Sequence, residues 1–393
     1  RHHDLLMEIK DIDHVTYTVK RSVTVLNKSG EKHGFLKVFY NDSRKVKNID
    51  ATVYDSYGDR IKRLKNKDIL DISAVSQGTM YSDSRVKFAA PQTNSYPYTV
   101  SYSYTVKIKD VYDIPDWMPV TSYEQSVEQA SLKVVNESDV RLKFKPVNLP
   151  SDCFEETNKE GVYELKATAT GIKAFVPEPY TPSPLETFPH IKLIMETFKY
   201  EGYQGNLKTW KQMGAWHKKL YEGRNELPFE THQEIKDLTA DIPTKRQQIR
   251  AIYNYLQERC RYVSIQLGIG GWQPFEASFV NNKGYGDCKA LSFYMKSLLK
   301  IIDIASYYTL VYGGNPHPVI DTGFVSNQFN HVILAVPLSN DTIWLECTDM
   351  EQPFDYLGQF THDRYALMIT PSGGVLTRTP ELSSNENMLH RKE

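Results

Sequence analysis

"GYGDCKALSFYMKSLL", residues 284–299, decides how the C-terminal half of this chain folds. Gly284 and Gly286 allow a tight turn, and Asp287 is a residue type that caps helix N-termini. Beyond the cap, apolar residues recur at helical spacing, namely Leu291, Met295, Leu298, Leu299 and Ile302. The stretch therefore predicts a glycine loop that turns into an apolar helix, with Cys288 in its first turn.

Two interpretations of Cys288 stay open on this stretch alone. The positive end of a helix macrodipole stabilises a thiolate, and the free N–H groups there can donate to a developing oxyanion. Against this, cysteine is among the most buried residue types and packs as a small hydrophobe. An ionised Asp287 would also oppose a thiolate beside it, so the local pattern by itself favours a core cysteine.

Length and composition indicate a globular protein of more than one domain. The chain has 393 residues, and a single hydrophobic core stops growing at about 250–300 residues. Hydrophobic residues make up 40% and charged residues 24%, with a formal net charge of -1, which does not indicate a nucleic-acid partner. The longest apolar runs are too short for a transmembrane segment.

The four cysteines, Cys153, Cys260, Cys288 and Cys347, lie far apart and form no C-x-x-C pair. This spacing argues against a zinc ribbon, a redox dithiol and a disulfide framework. A metal site built from Cys288, His331 and Glu346 also has no supporting motif, because the chain contains no H-E-x-x-H. We therefore predict neither a metal nor a cofactor.

The N-terminal part of the chain, residues 9–176, has the pattern of β-strands. Stretches such as "HVTYTVKRSVTVL" (14–26) and "YPYTVSYSYTVKIKD" (96–110) alternate apolar and polar residues and are rich in Val, Tyr and Thr. Five prolines then follow in "VPEPYTPSPLETFPH" (176–190), which is typical of a stiff linker. We expect an antiparallel, β-sandwich-like domain over residues 1–178 and a linker over residues 179–190.

After the linker the hydrophobic period changes. Residues 206–223 and 242–260 have helical patterns, the second with Asp241 as a candidate N-cap, and residues 305–314, 329–338 and 341–349 have strand patterns. Helices followed by an antiparallel sheet give an α+β domain over residues 191–380. Residues 381–393 are expected to be a tail or the start of a further segment.

The order of elements after Cys288 changes the balance between its two interpretations. "FNHVILAV" places His331 in an apolar strand, and the next strand ends in "WLECTD" with two carboxylates. A nucleophilic cysteine needs a base within hydrogen-bond reach and a group that orients the base. A cysteine at a helix start, a histidine on one strand and a carboxylate near the next together indicate a Cys-His-carboxylate site.

These residues resemble the transglutaminase-like superfamily. "RYVSIQLGIGGWQP", "GYGDCKALSFYMKSLL", "FNHVILAV" and "WLECT" are similar to its core, closest to secreted proteins of the Bacteroides type that carry an N-terminal β domain of unknown function. The resemblance covers about residues 185–370 and implies a papain-like fold and cysteine-dependent acyl transfer. It implies that Cys288 is the nucleophile and His331 the general base and acid.

The chain departs from the family pattern at two positions. The family motif W-x-D-x-T falls on Trp344, Glu346 and Thr348, so the acid is Glu instead of Asp. The extra methylene changes the reach to the imidazole, which leaves the efficiency of the site open. Asp303 stands where the family usually has Gly.

The hairpin turn decides which carboxylate meets His331, because alternate residues of a strand point to opposite faces. An even turn at Ser339-Asn340 places Glu346 on the face of His331. An odd turn over residues 337–341 places Asp349 there. The short even turn and the family motif both favour Glu346, with Asp349 as the alternative acid.

For the oxyanion, the backbone N–H of Cys288 is the natural first donor. A second donor could come from Gln266, Trp272 or Gln273 in the loop before the helix, although the sequence favours a packed turn as the role of Trp272 and Gln273. Cys260, on a helical stripe with Ile249, Ile252, Tyr253 and Leu256, is predicted to be a core thiol.

Two functions follow from this sequence. The first is a cysteine peptidase or amidase, favoured over a cross-linking transglutaminase, that acts on a peptide or protein, including cell-wall peptide. The second is a catalytically weak or inactive scaffold that serves as a surface binding protein.

The polar start "RHHDLL" is typical of a mature end after removal of a signal peptide, so a periplasmic or cell-surface location is expected and a cytoplasmic one stays open. Oligomeric state is not predicted.

Overall fold

Alternating apolar residues build the N-terminal strands with a period of two. Leu5, Met7 and Ile9 are buried, whereas Leu6 and Glu8 between them are exposed. The computed structural model describes residues 2–75, 79–93, 95–315 and 318–381. Contacts divide this chain into a first unit, residues 2–75 and 82–204, and a second unit, residues 79–81 and 205–381.

The strands of the N-terminal part are, in chain order, β1 (His2–Asp11), β2 (His14–Val25), β3 (Leu36–Tyr40), β4 (Arg44–Tyr54), β5 (Arg60–Arg63), β6 (Leu70–Ser73), β7 (Thr79–Ser82), β8 (Arg85–Ala89), β9 (Tyr98–Ile108), β10 (Val127–Asn136), β11 (Leu142–Val147), β12 (Phe154–Lys159), β13 (Val162–Ile172), β14 (His190–Met195), β15 (Thr197–Tyr200) and β16 (Tyr203–Asn206).

An eight-stranded sheet dominates the first unit, in the order β12-β13-β10-β1-β2-β9-β4-β5. Its paired strands run antiparallel except β1 and β10, which are parallel. A second sheet has the order β3-β8-β6. The apolar core of this unit includes Met7, Val100 and Trp117, all fully buried. The predicted antiparallel β architecture of the N-terminal part is confirmed.

The proline-rich stretch contains a short helix, α1 (Pro184–Thr187), capped by Ser183. Beyond it, β14 pairs antiparallel with β11, from Val147 opposite His190 to Leu142 opposite Met195. The units therefore divide after residue 204, whereas the sequence predicts the division at residues 179–190. Proline content marks the extended stretch, but the pairing of β14 was not visible in it. Of the predicted tail 381–393, residues 382–393 lie outside the described chain.

The second unit contains helices and strands in turn. Its helices are α2 (Trp210–Tyr221), α3 (Phe229–Thr239), α4 (Lys245–Arg259), α5 (Ala277–Lys283), α6 (Cys288–Ile301) and α7 (Gly358–Thr361). Its strands are β17 (Arg261–Tyr262), β18 (Ser264–Gln266), β19 (Tyr285–Gly286), β20 (Tyr307–Val311), β21 (His331–Pro337), β22 (Thr342–Leu345), β23 (Tyr365–Thr370) and β24 (Gly373–Arg378).

The main sheet of the second unit has the order β22-β21-β20-β23-β24, and every pair in it is antiparallel. Helix α6 packs against β21 on one face of this sheet. On that face Leu334, Val336 and Leu345 join the core around α6. The prediction of an α+β fold is confirmed.

Helix α6 differs from its predicted form in one respect. The sequence indicates a single apolar stripe, but Ser292, Phe293, Tyr294 and Ser297 are buried as well. A helix buried on all sides is a core helix, so α6 is the central element of the unit. It ends at Ile301 with Ile302 as its C-cap, and the next residue, Asp303, takes a left-handed φ of 55°. This backbone conformation explains why a related sequence would carry Gly there.

Three helical details were not predicted correctly. Helix α4 begins at Lys245 and its N-cap is Thr244, whose hydroxyl accepts from the Gln247 N–H, so Asp241 is not the cap. Helices α3 and α5 were missed. The buried face of α3 contains two threonines and one isoleucine, and α5 has seven residues, so neither shows a clear apolar period.

Two further findings concern the cysteines and the helices. All four cysteines are free thiols. Among the helices of the described residues, none combines the length and the apolar character that crossing a bilayer requires.

The contact between α2 and β24 depends on glycine. A Cβ placed on Gly214 would lie 2.2 Å from both N and Cα of Gly374, which are backbone atoms and cannot rotate away. We predict that Gly214→Ala lowers the free energy of unfolding by about 1–3 kcal/mol or more, as overpacking does. Gly270→Ala is the matched control, because no atom lies within 4 Å of its Cβ position. Denaturant unfolding measures both, and equal stability of the two variants would contradict the close approach.

Candidate active site

Cys288 lies at the first position of α6. Asp287 caps the helix, with Oδ1 accepting from the Ala290 N–H at 3.0 Å. Cys288 follows in the first turn and is only 6% exposed. The helix N-terminus therefore directs its free N–H groups and its positive dipole end to the surroundings of the thiol.

The β21–β22 hairpin brings the histidine and an acid together. The strands pair Leu334 with Leu345 and Pro337 with Thr342, and Leu338 N–H donates to the Asp341 carbonyl at 2.7 Å. The turn is therefore the even, two-residue Ser339-Asn340. This register places Glu346 on the side of His331.

The imidazole and the carboxylate are in direct contact. His331 Nε2 lies 2.9 Å from Glu346 Oε2 and 3.2 Å from Oε1. The side chain of His331 is 8% exposed and that of Glu346 is 4% exposed. Asp349, the alternative acid, is exposed, and its Oδ1 accepts from the Glu351 N–H. The structure thus pairs His331 with Glu346 and not with Asp349.

Other groups hold the glutamate in place. Glu346 Oε1 accepts from the hydroxyl of Thr348 at 2.6 Å and from its backbone N–H at 3.1 Å. The Tyr253 hydroxyl, on α4, donates to the Glu346 carbonyl at 2.7 Å. Burial acts to raise the pKa of Glu346, but His331 and Thr348 outweigh it and hold that pKa below its ordinary value. The carboxylate is therefore ionised at neutral pH.

The charge state of His331 follows from its neighbours. Burial acts to lower its pKa, but the Glu346 carboxylate and a hydrogen bond with the Cys288 side chain outweigh burial and raise the pKa of His331 to about 10. Because Nε2 faces the carboxylate, Nδ1 is the nitrogen that can exchange a proton with the sulfur. His331 thus contacts Glu346 through Nε2 and lies beside Cys288 in the wall of one cavity.

Two residues restrict the motion of the histidine. The Asn330 side chain accepts from the Gly313 N–H at 2.6 Å and donates to the Gly313 carbonyl at 3.0 Å, which ties the start of β21 to the neighbouring chain. Phe360 packs edge-on against the imidazole, with 5.1 Å between ring centroids. The imidazole is therefore held by its hydrogen bond with Glu346 and by its aromatic contact with Phe360.

A cavity of about 230 Å³ opens beside these residues. Its walls are formed by His217, Gln266, Gly271, Trp272, Cys288, Lys289, Tyr308, Leu310, Asn327, Phe329, Asn330, His331 and Val332. Cys288 and His331 thus line one half-open pocket whose surface is mostly apolar. Such a concave site with a few convergent polar groups is typical of a small substrate pocket.

The three candidate oxyanion residues have different positions. Gln266 and Trp272 line the cavity, and the Gln266 amide lies 3.3 Å from the Ser264 hydroxyl, to which it donates. Gln273 instead donates to the Leu220 carbonyl at 2.8 Å, which ties its loop to α2. The cavity therefore contains two of the three.

A second buried ion pair lies next to Cys288. The Lys289 ammonium contacts Asp287 Oδ2, and the two side chains are 8% and 4% exposed. Burial acts to lower the pKa of Lys289, but Asp287 and Cys288 raise it above its ordinary value. The ammonium neutralises Asp287, so the cap carboxylate no longer opposes a thiolate at Cys288.

Two residues of the site, Lys289 and His217, were not predicted from the sequence. A lysine directly after the cysteine in "GDCKALS" occupies a helical position among apolar residues, which could have signalled burial. His217 lies one turn from Met213 and Leu220, on the buried face of α2. That spacing places a polar group in the core, but it does not show that the group meets the cavity.

No metal cluster involves the site in the part of the chain that the structure describes. The described residues whose ligand atoms converge are Asp11, Asp13 and His14, at an exposed turn of the first unit. Asp13 already pairs with His14 and with Lys199.

Comparisons with known proteins agree with this architecture. Residues 13–173 match a family described as a domain of unknown function with a solved structure, DUF3857. No curated protein has significant sequence similarity to the chain. The crystal structure of a "putative protease" from Parabacteroides distasonis is 14% identical, with a TM-score of 0.72 over 97% of this chain and 72% of that one. At this identity the likeness shows a shared fold.

Two other solved structures are much less similar. The "putative cysteine protease" from Cytophaga hutchinsonii is 10% identical, with a TM-score of 0.24 over 87% of this chain and 78% of that one. Native leukotriene A4 hydrolase from Saccharomyces cerevisiae is 9% identical, with a TM-score of 0.25 over 60% and 35%. Scores this low support no argument.

The raised pKa of His331 predicts a pH-dependent contribution to stability. A folded-state pKa near 10 against about 6.5 in the unfolded chain stabilises the fold fully below pH 6.5, and this contribution is lost as pH rises through 10. Glu346→Gln removes the main cause. We expect it to cost on the order of 3–5 kcal/mol near pH 6, and less towards pH 10. Urea unfolding at several pH values measures this, and a pH-independent cost would contradict the charged pair.

The Asp287–Lys289 pair predicts a large effect of removing one charge. Lys289→Met leaves a buried carboxylate unpaired and should lower the free energy of unfolding by about 3–5 kcal/mol. The double variant Asp287→Asn/Lys289→Met leaves no charge unpaired and should recover part of this loss. Lys283→Met, at an exposed lysine of the neighbouring helix, is the control. Equal losses in the single and double variants would show that the charge pairing is not the cause.

Proposed function

We propose that this protein is a cysteine-dependent acyl-transfer enzyme that hydrolyses amide bonds of peptides. The observation that carries the proposal is the buried His331–Glu346 pair, with His331 and Cys288 in the wall of one cavity and Cys288 at a helix N-terminus. A nucleophile, a base and a group that orients the base are the parts that this chemistry requires. Cys288 and His331 then have catalytic roles, and Glu346 positions the histidine.

The proposed reaction begins from a thiolate and an imidazolium. The Cys288 sulfur attacks the amide carbonyl carbon, and the carbonyl oxygen becomes an oxyanion that the Cys288 N–H stabilises. The His331 proton then passes to the amine nitrogen as the C–N bond breaks, which leaves a thioester on Cys288. Neutral His331 then takes a proton from water as the water oxygen bonds to the carbon of the thioester. The C–S bond breaks, which releases the carboxylic acid and restores the thiolate.

Hydrolysis is proposed in preference to transfer to a second amine. The cavity of about 230 Å³ accommodates one small group, and water is the acceptor that reaches such a space most easily. The fold shared with the Parabacteroides distasonis protein is compatible with a peptidase. A peptide substrate in the periplasm or at the cell surface, with cell-wall peptide as one source, belongs to the same proposal.

Selective alkylation of Cys288 tests the proposal. Iodoacetamide should label Cys288 at pH 7 much faster than the other three thiols, and His331→Ala should slow this labelling at least tenfold. Burial raises the pKa of Cys153, that of Cys347, and that of Cys260 to about 11, so these thiols are internal controls. Mass spectrometry of digested protein measures each site.

Two results would overturn the enzymatic function. One is a Cys288 that reacts no faster than partly exposed Cys153, and the other is a labelling rate that does not depend on His331. Either result would favour the alternative, a catalytically inactive scaffold with a binding role. Glu346→Gln is the intermediate case, because it keeps the histidine and removes the charge that holds its proton.

A further inference from the structure

His217 is a buried polar side chain that the catalytic residues do not use. It lies on α2, is 4% exposed, and forms part of the cavity wall that also contains Cys288 and His331. Its Nε2 has no hydrogen-bond partner among the described residues. Buried polar atoms in proteins are nearly always paired, and an unpaired one is costly. An imidazole with an unpaired nitrogen, on a residue that lines a cavity, indicates that a ligand supplies a hydrogen-bond partner there.

Aromatic rings hold the His217 imidazole in one orientation. The Trp216 ring lies 4.9 Å away between centroids, at 76°. The Trp272 ring lies 6.2 Å away, at 54°, and lines the same cavity. These contacts restrict rotation of the imidazole, so the His217 ring is a fixed part of the pocket wall.

The charge of His217 limits the ligand. Burial alone lowers its pKa to about 3, so the imidazole is neutral at physiological pH. The charged groups of the same cavity are already paired, Lys289 with Asp287 and His331 with Glu346. A ligand carboxylate would find no free cation there, and a ligand ammonium no free anion, so both would lose hydration without compensation.

Apart from the charged residues and His217, the wall of the cavity is uncharged, with Gln266, Tyr308, Asn327 and Asn330 as its polar members and apolar residues elsewhere. Leu310, Phe329 and Val332 contribute to the wall beside Trp272. A group that fits must therefore be uncharged, small enough for about 230 Å³, and able to form a neutral hydrogen bond. A hydroxyl or carboxamide side chain of a peptide has these properties.

We propose that His217 is a substrate-binding residue that hydrogen-bonds an uncharged polar side chain on the residue whose carbonyl Cys288 attacks. This inference rests on the proposed function, since it assumes that Cys288 is the nucleophile. It adds a specificity: threonine, serine or asparagine is preferred on the acyl side over apolar residues of equal size, and charged residues are rejected.

Peptidyl chloromethyl ketones that differ only in the residue beside the reactive group test this specificity. In each, the Cys288 sulfur forms a bond to the methylene carbon and chloride leaves, so labelling does not require amide hydrolysis. Threonine and valine are nearly isosteric, and so are asparagine and aspartate. We expect the threonine probe to label Cys288 about five- to tenfold faster than the valine probe, and asparagine more than tenfold faster than aspartate.

Variants test whether His217 is the residue that hydrogen-bonds the threonine hydroxyl. His217→Leu should reduce the threonine-to-valine rate ratio to one or below, whereas His217→Gln, which keeps a neutral hydrogen-bonding group, should retain most of it. His232→Leu, on α3 and outside the cavity wall, is the control and should leave the ratio unchanged. Each ratio is taken within one variant, so an altered overall reactivity does not affect it.

Two results would overturn the role of His217. These are a threonine-to-valine ratio near one in the unaltered chain, and a ratio that His217→Leu does not change. If His217→Leu does not fold, the unaltered chain and His217→Gln decide. Failure of the proposed function gives a different result, because then neither iodoacetamide nor any of the probes labels Cys288 selectively.

Discussion

The contact between the His331 imidazole and the Glu346 carboxylate depends on the register of one β-hairpin. A two-residue turn at Ser339-Asn340 sets that register, and a turn longer by one residue would move Glu346 to the opposite face. Val311 pairs with His331 from the other side, which fixes the position of the histidine strand within the sheet. Helix α6 packs on the same sheet and carries Cys288 to the hairpin. The candidate site is therefore a consequence of how α6 and one hairpin share a core.

Two buried ion pairs meet at the N-terminus of α6, and their arrangement explains how the site tolerates its charges. Removing charges from water is costly unless each finds a partner and further hydrogen bonds. Asp287 has both, from Lys289 and the Ala290 N–H, and Glu346 has both, from His331 and Thr348. With these four charges balanced, Cys288 lies at the positive end of the helix dipole and shares a cavity wall with His331.

The family that these residues resemble has aspartate where this chain has Glu346. The longer side chain raises the question of how its carboxylate contacts the His331 imidazole. The structure answers it through Thr348, whose hydroxyl and N–H both hold Glu346 Oε1 while Oε2 contacts the imidazole at 2.9 Å. The longer side chain is thus anchored at its carboxylate. The position of the carboxylate depends on this anchor as much as on the length of the side chain.

The sequence by itself determined the main elements and the order of the chemical groups, because periodicity and capping are local. It determined the α6 helix with its Asp287 cap, the strands of the hairpin, and the series Cys288, His331 and Glu346 along the chain. It did not reveal α3 or α5, whose short or polar faces show no period, and it left Glu346 and Asp349 as alternatives. Only the tertiary structure decided between them, and only it placed Lys289 and His217 at the cavity. Hairpin register, the pairing of buried charges and the walls of a pocket depend on residues far apart in sequence, and no local pattern records those contacts.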